Sequence, residues 1–77
     1  MIDGAEVRKA IGVNVRRLRK AKKLTQEQLA EKVGISPVHM NRIEQGHSSP
    51  SAEVLFAISD ELGVEADKLR QVPVSTA

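Results

Sequence analysis

The chain has no cysteine, one aromatic residue and three prolines in 77 residues. Without cysteine there is no disulfide framework and no thiolate metal site, which fits a reducing cytoplasm. The lone aromatic, Phe56, argues against gripping single-stranded nucleic acid by stacking. The prolines stand at 37, 50 and 73, all at expected junctions between elements. Apolar runs are too short to cross a bilayer, and no signal peptide is visible at Met1. Catalytic and cofactor patterns are missing too. His39 and His47 lie near Ser36, Ser48 and Ser49, with no third orienting group and no nucleophile turn. There is no metal-ligand cluster and no glycine-rich phosphate loop. An enzyme is not expected, and no cofactor.

What is present is helical patterning and an uneven charge. The formal net charge is only +2. Residues 1–24, however, carry eight Lys/Arg against Asp3 and Glu6. Residues 25–50 carry two bases against three acids, and 51–77 two against five. A basic first third suits a phosphate-binding surface, with the acidic last third turned away from it. A solvated helix face explains the same charges, and both readings stand on charge alone.

The informative stretch is QEQLAEKVGISPVHMNRIEQ, from Gln26 to Gln45. Leu29, Ala30 and Val33 form one apolar helical stripe. Gly34 breaks it and tolerates the left-handed backbone that a sharp corner needs. Ser36 supplies a capping oxygen. Pro37 follows at a first helical position, where its missing N–H costs nothing. Met40 and Ile43 carry the apolar face onward, and Ala30 is small where two steeply crossing helices come closest. The pattern reads as a helix-turn-helix.

Around it the chain predicts an all-α protein, a compact five-helix bundle making one domain over 1–77. After a loose start through Ala5, helix 1 is expected from Glu6 to about Lys22. Ile11, Val15 and Leu18 form its inner stripe. Its basic end, Arg16 to Lys23, also suits the helix dipole. A basic amphipathic helix admits a membrane-surface reading as well, which the narrow, aromatic-free stripe disfavours. Thr25 and Gln28 match a capping box for helix 2, over about Gln26 to Lys32. Helix 3 is expected over Pro37 to Gln45, closed by Gly46. Ser51 caps helix 4, which points Leu55, Ile58 and Leu62 inward, with Ala52, Phe56 and Ser59 flanking. Gly63 stops it. Helix 5 is expected over Val64 to about Gln71, followed by a tail.

The string LTQEQLAEKVGIS…MNRIEQG…PS…LG resembles the XRE family of bacterial and phage helix-turn-helix regulators, over roughly residues 10–70. Met40 departs slightly, since a β-branched residue or leucine is more usual there. The resemblance implies the phage-repressor fold and transcriptional regulation through double-stranded DNA, as a repressor. It resembles small phage or plasmid repressors and controllers of restriction–modification operons. The alternative is an antitoxin that binds its own promoter and also neutralises a protein toxin. A third use of such a fold is protein interaction alone.

If helix 3 enters the major groove, Val38, His39, Asn41 and Arg42 are the candidates for base edges. Arg42 can pair bidentately with guanine, Asn41 with adenine, and Val38 can touch a thymine methyl. His39 and Asn41 are equally well read as ordinary polar surface. Gln26 is the position where the family contacts a phosphate. Pro37, Gln45, His47 and Ser49 are further candidates beside the backbone, contacts that set register and carry no sequence information. For His47 a solvated loop histidine is an equal reading. The resemblance also implies a structural ion pair between Arg19 and Glu44. One recognition helix reads too few base pairs to select a genomic site, so a homodimer is expected. Val54, Val72 and Val74 are its candidate interface.

Overall fold

Capping oxygens set where the three middle helices begin. In the computed structural model, which describes residues 4–72, the order is α1 (Gly4–Ala21), α2 (Gln26–Val33), α3 (Pro37–Glu44), α4 (Ala52–Leu62) and α5 (Ala66–Arg70). Thr25 Oγ1 accepts from the Gln28 N–H at 3.0 Å, while Gln28 Oε1 accepts from the Thr25 N–H at 2.9 Å. Both halves of the capping box are therefore made. Ser36 caps α3 through the His39 N–H, and Ser51 caps α4 through the Val54 N–H.

The ends of α2, α3 and α4 follow from left-handed glycines. Gly34 turns at φ +88°, and its N–H and that of Ile35 both reach the Ala30 carbonyl. Gly46 at φ +77° closes α3 with a doubled bond, Gly46 N–H to Ile43 O and His47 N–H to Arg42 O. That is a Schellman motif, and it places the glycine one residue beyond the helix cap at Gln45.

Two boundary expectations and one burial expectation are corrected. α1 already begins at Gly4, so Gly4 and Ala5 are helical and not a loose start; residues 1–3 lie outside the described residues. Nothing at Gly4 or Ala5 stops a helix, and Glu6 in the first turn favours its positive end. α5 is shorter than expected, because Glu65 is extended (φ −73°, ψ 148°) and serves as its N-cap. On α4, Ala52 and Phe56 are exposed, Phe56 at 59%, while Ser59 is buried. The helix buries two adjacent ridges, one through Val54, Ile58 and Leu62 and one through Leu55 and Ser59. Phe56 falls on the opposite side.

The core joins all five helices: Ile11 and Val15 from α1, Leu29 and Ala30 from α2, Met40 and Ile43 from α3, Ile58 and Leu62 from α4, and Leu69 from α5. α1 packs on α3, α4 and α5, and α2 packs on α3 and α4. Two residues of α1 fix this arrangement. A Cβ on Gly12 would stand 2.4 Å from the Glu44 carbonyl oxygen and 2.6 Å from that of Ile43. The end of α3 therefore rests on the bare backbone of α1. Two residues on, buried Asn14 donates to the carbonyls of Leu69 at 2.7 Å and Gln71 at 2.8 Å, with a longer contact to Lys68. Its amide satisfies C-terminal carbonyls of α5 that have no helical partner. No buried side-chain nitrogen or oxygen among the described residues is left unpaired.

Candidate nucleic-acid interface

α3 has eight residues and two faces. Met40, Ile43 and Glu44 are buried. At about 100° per residue, the direction opposite to them falls on Val38, Arg42 and Gln45. Val38 is 71% exposed and Arg42 and Gln45 are exposed, so the outward face matches this phase. The Arg42 guanidinium has no protein partner among the described residues. Pro37, exposed, opens the helix beside this face. His39 and Asn41 occupy its two flanks, and both are half-buried. His47 and Ser49 are exposed in the loop that leads to Ser51 and α4.

The inner edge of α3 is held by an ion pair. Arg19 Nε donates to Glu44 Oε2 at 2.7 Å, and Arg19 Nη2 donates to Glu44 Oε1 at 3.0 Å. Both residues are only 8% exposed. Arg19 Nη1 also donates to the Leu24 carbonyl at 2.7 Å, so one guanidinium ties α1, the α1–α2 connection and α3 together. This two-pronged geometry is the strong form of a charge-assisted bond. Gln26 lies against the same carboxylate, its Nε2 donating to Glu44 Oε1 at 3.0 Å. Asn41 Nδ2 in turn donates to Gln26 Oε1 at 3.2 Å. Gln26 and Asn41, read separately from the sequence, are hydrogen-bonded neighbours.

Arg16, Arg17, Lys20 and Lys23 are exposed along the second half of α1 and just beyond it. Lys22 has a structural place. Its Nζ lies 3.7 Å from where a Cβ on Gly63 would stand, beside the negative end of the α4 dipole. On the far side, Val54, one of the three residues expected at a dimer interface, does not face outward. It is half-buried and packs against the core, because it shares a ridge with Ile58 and Leu62. Among the described residues, the large apolar side chains exposed outside α3 are Val13, Phe56 and Val72. Val74 lies outside the described residues.

Sequence reasoning missed Gly12, Asn14 and the exposed Phe56. Glycine inside an otherwise helical pattern was the available signal for a close approach. Asn14 falls at the edge of the Ile11, Val15 and Leu18 stripe in phase, and a polar residue beside an apolar stripe can signal a buried bond.

Two short helices, a glycine corner, a capped second helix and an exposed outer face define a helix-turn-helix protein. The matching family is described as helix-turn-helix and aligns over residues 15–69. The chain belongs to this family, as an XRE-type regulator. A related sequence is the uncharacterised HTH-type transcriptional regulator y4dJ of Sinorhizobium fredii, 36% identical over 59 residues, covering 77% of this chain and 77% of the relative. Another is the immunity repressor protein of Bacillus phage phi105, 36% identical over 59 residues, 77% of this chain but 41% of the relative. Among solved structures, the P22 c2 repressor protein in complex with a synthetic operator matches with a TM-score of 0.78. It is 32% identical, and the match covers 82% of this chain and 96% of that one.

Proposed function

We propose that this protein is a sequence-specific repressor that lays α3 in the major groove of a palindromic double-stranded DNA operator. The carrying observation is the outer face of α3. Val38, Arg42 and Gln45 are exposed side by side, and Arg42 is unspent by any protein partner among the described residues. A free guanidinium on a rigid helix is the group best suited to guanine O6 and N7. Around it, the Gln26 end of α2 and the 47–52 loop bracket the face, where polar side chains and backbone N–H groups suit phosphates. Family membership supports DNA-binding transcriptional regulation, and the names of the phi105 and P22 relatives favour repression.

The test is duplex binding by the purified protein across a salt series. The logarithm of affinity should fall linearly with the logarithm of salt, as counterions leave the phosphates. A flat salt dependence would remove the DNA-binding reading and leave the fold as a protein-interaction module.

The working unit is a homodimer, whose two α3 helices sit about one helical turn (~34 Å) apart on the operator. Its apolar contact surface uses Phe56 on α4 and Val72 beyond α5, the large exposed apolar side chains of the acidic last third among the described residues. Val54 contributes from below. Phe56→Asp should leave a folded monomer in sedimentation on operator DNA, whereas Val54→Asp would also damage the core. A wild type that binds one half-site as tightly as two would end the dimer proposal.

A further inference from the structure

The corner between α1 and α2 holds a residue in a backbone conformation that its side chain penalises. Lys23 has φ +59°, and among the described residues it is the one non-glycine with a positive φ; the others are Gly34, Gly46 and Gly63. The bonds around it are those of a Schellman motif. The Leu24 N–H donates to the Arg19 carbonyl at 3.1 Å, and the Lys23 N–H to the Lys20 carbonyl at 2.9 Å. In that motif the left-handed position suits glycine, because a Cβ there crowds the following carbonyl oxygen. The corner cannot relax to suit lysine. Arg19 accepts the Leu24 N–H on its own carbonyl and donates a guanidinium N–H to the Leu24 carbonyl at 2.7 Å. The same guanidinium grips Glu44. A sparsely populated conformation persists where its surroundings over-determine it, and such residues cluster at functional sites.

Lysine is therefore a poor choice for the backbone here, and what it adds is its charge. The α1 dipole does not need that charge, since Arg19 and Lys20 already stand in the last turn. Lys23 is exposed, and its ammonium has no ion pair among the described residues. Its place in the fold decides the partner. Gln26 opens α2 three residues on, at most about 11 Å of chain away. That end of α2 brackets the outer face of α3, and Gln26 is bonded directly to Asn41. A cation on a rigid corner at this edge faces the DNA strand that runs past the start of α2. We propose that Lys23 is a phosphate-binding residue that carries the DNA contact surface beyond α2 onto the α1–α2 corner, at a cost in stability that glycine would not incur. An ammonium is a point charge without a fork, so this contact adds affinity on every sequence alike.

This inference rests on the proposed DNA-binding reading, and the experiment separates the two. Wild type, Lys23→Gly, Lys23→Asn and Arg17→Ala are melted without DNA. Each is then titrated over a salt series on a duplex enriched by the wild-type protein and on random duplex. Asparagine visits the left-handed conformation more readily than most side chains and carries no charge. Arg17 is exposed and, at about 100° per residue, lies roughly 150° around α1 from the Gly12 and Arg19 side that meets α3. Lys23→Gly should melt roughly 2–6 °C above wild type, because relief of the left-handed strain exceeds the freedom glycine adds to the unfolded chain. Both Lys23 variants should bind both duplexes more weakly by the same factor. Their slope of log affinity against log salt should be shallower by about 0.9 for each copy bound. Arg17→Ala should keep the wild-type slope. Lys23 variants with wild-type affinity and slope overturn the proposal and leave DNA binding standing. So does a Lys23→Gly protein that melts no higher than wild type, a loss in Lys23→Gly that Lys23→Asn does not share, or an equal drop in slope for Arg17→Ala. Wild type binding no duplex at all overturns the DNA-binding reading itself, and with it this one.

Discussion

Gly12→Ala is the substitution on which local propensity and tertiary packing disagree most clearly. Inside a helix, alanine is better than glycine by about 0.8–1.0 kcal/mol. On propensity alone the variant should be the more stable protein. The new methyl, however, would sit 2.4 Å from the Glu44 carbonyl oxygen, 2.6 Å from that of Ile43 and 2.8 Å from the Glu44 carbonyl carbon. All three are backbone atoms and cannot rotate away. Restoring ordinary contact means moving the end of α3 off α1 by roughly 1 Å, because non-bonded heavy atoms prefer about 3.5–4.0 Å. Overpacking in a well-packed core costs typically 1–3 kcal/mol, occasionally more. Here the shift also stretches the Arg19–Glu44 fork, since the same residue carries both the clashing carbonyl and the buried carboxylate. Subtracting the propensity gain leaves a loss of about 0–2 kcal/mol from the clash, to which the stretched fork adds, so the variant is the less stable protein. For a domain of this size each kcal/mol lowers Tm by about 4–8 °C. Thermal melting followed by circular dichroism reads this directly. Gly4→Ala is the control, because its Cβ would meet only the flexible Arg8 Nη1 at 3.6 Å. Its Tm should stay level or rise slightly. A Gly12→Ala protein as stable as wild type would refute the account of the α1–α3 contact.

Other perturbations separate stability from recognition. Glu44→Ala strands a buried guanidinium and should cost about 3–5 kcal/mol in denaturant unfolding, as breaking one side of a buried pair does; unchanged melting with weakened DNA binding would reassign Arg19 to a phosphate. Asn14→Ala leaves the Leu69 and Gln71 carbonyls without their donor and should cost about 1–3 kcal/mol. Hydrogen exchange should show that loss first in α5, and equal loosening everywhere would contradict the capping role. Gln45→Ala should lower DNA affinity modestly without altering which duplex is preferred, read by competition between operator and random DNA.

Much of this architecture is legible in the sequence because it is written in local chemistry. Thr25 with Gln28, Ser36 before Pro37, and Ser51 before Glu53 announce helix starts, and Gly34 and Gly63 announce helix ends. Periodicity places Ile11, Val15, Met40, Ile43, Ile58 and Leu62 inside. The ion pair between Arg19 and Glu44, 25 residues apart, came from the family resemblance and not from any local rule. What stayed hidden depends on which helix lies against which. Gly12 is a poor helix residue until the end of α3 is known to press on it. Asn14 is a misplaced polar residue until α5 is seen to finish beside it. Phe56 was read with Ala52 and Ser59 as flanking the core stripe of helix 4, yet the two ridges of α4 that meet its neighbours leave it outside. Gln26 and Asn41 were read as a phosphate contact and a base contact, since sequence alone cannot show two amides facing each other across a helix crossing.

The central claim is that α3 reads bases through its outer face, with Arg42 foremost. The most direct measurement is enrichment of random duplex DNA by wild type and by Arg42→Ala, followed by sequencing and titration of the enriched sites. The account predicts a two-fold symmetric motif for wild type, with half-sites about one helical turn apart. For Arg42→Ala it predicts a loss of about 1–3 kcal/mol, confined to one guanine position in each half-site. An Arg42→Ala protein that enriches the same motif, or loses affinity equally on operator and random DNA, would contradict it.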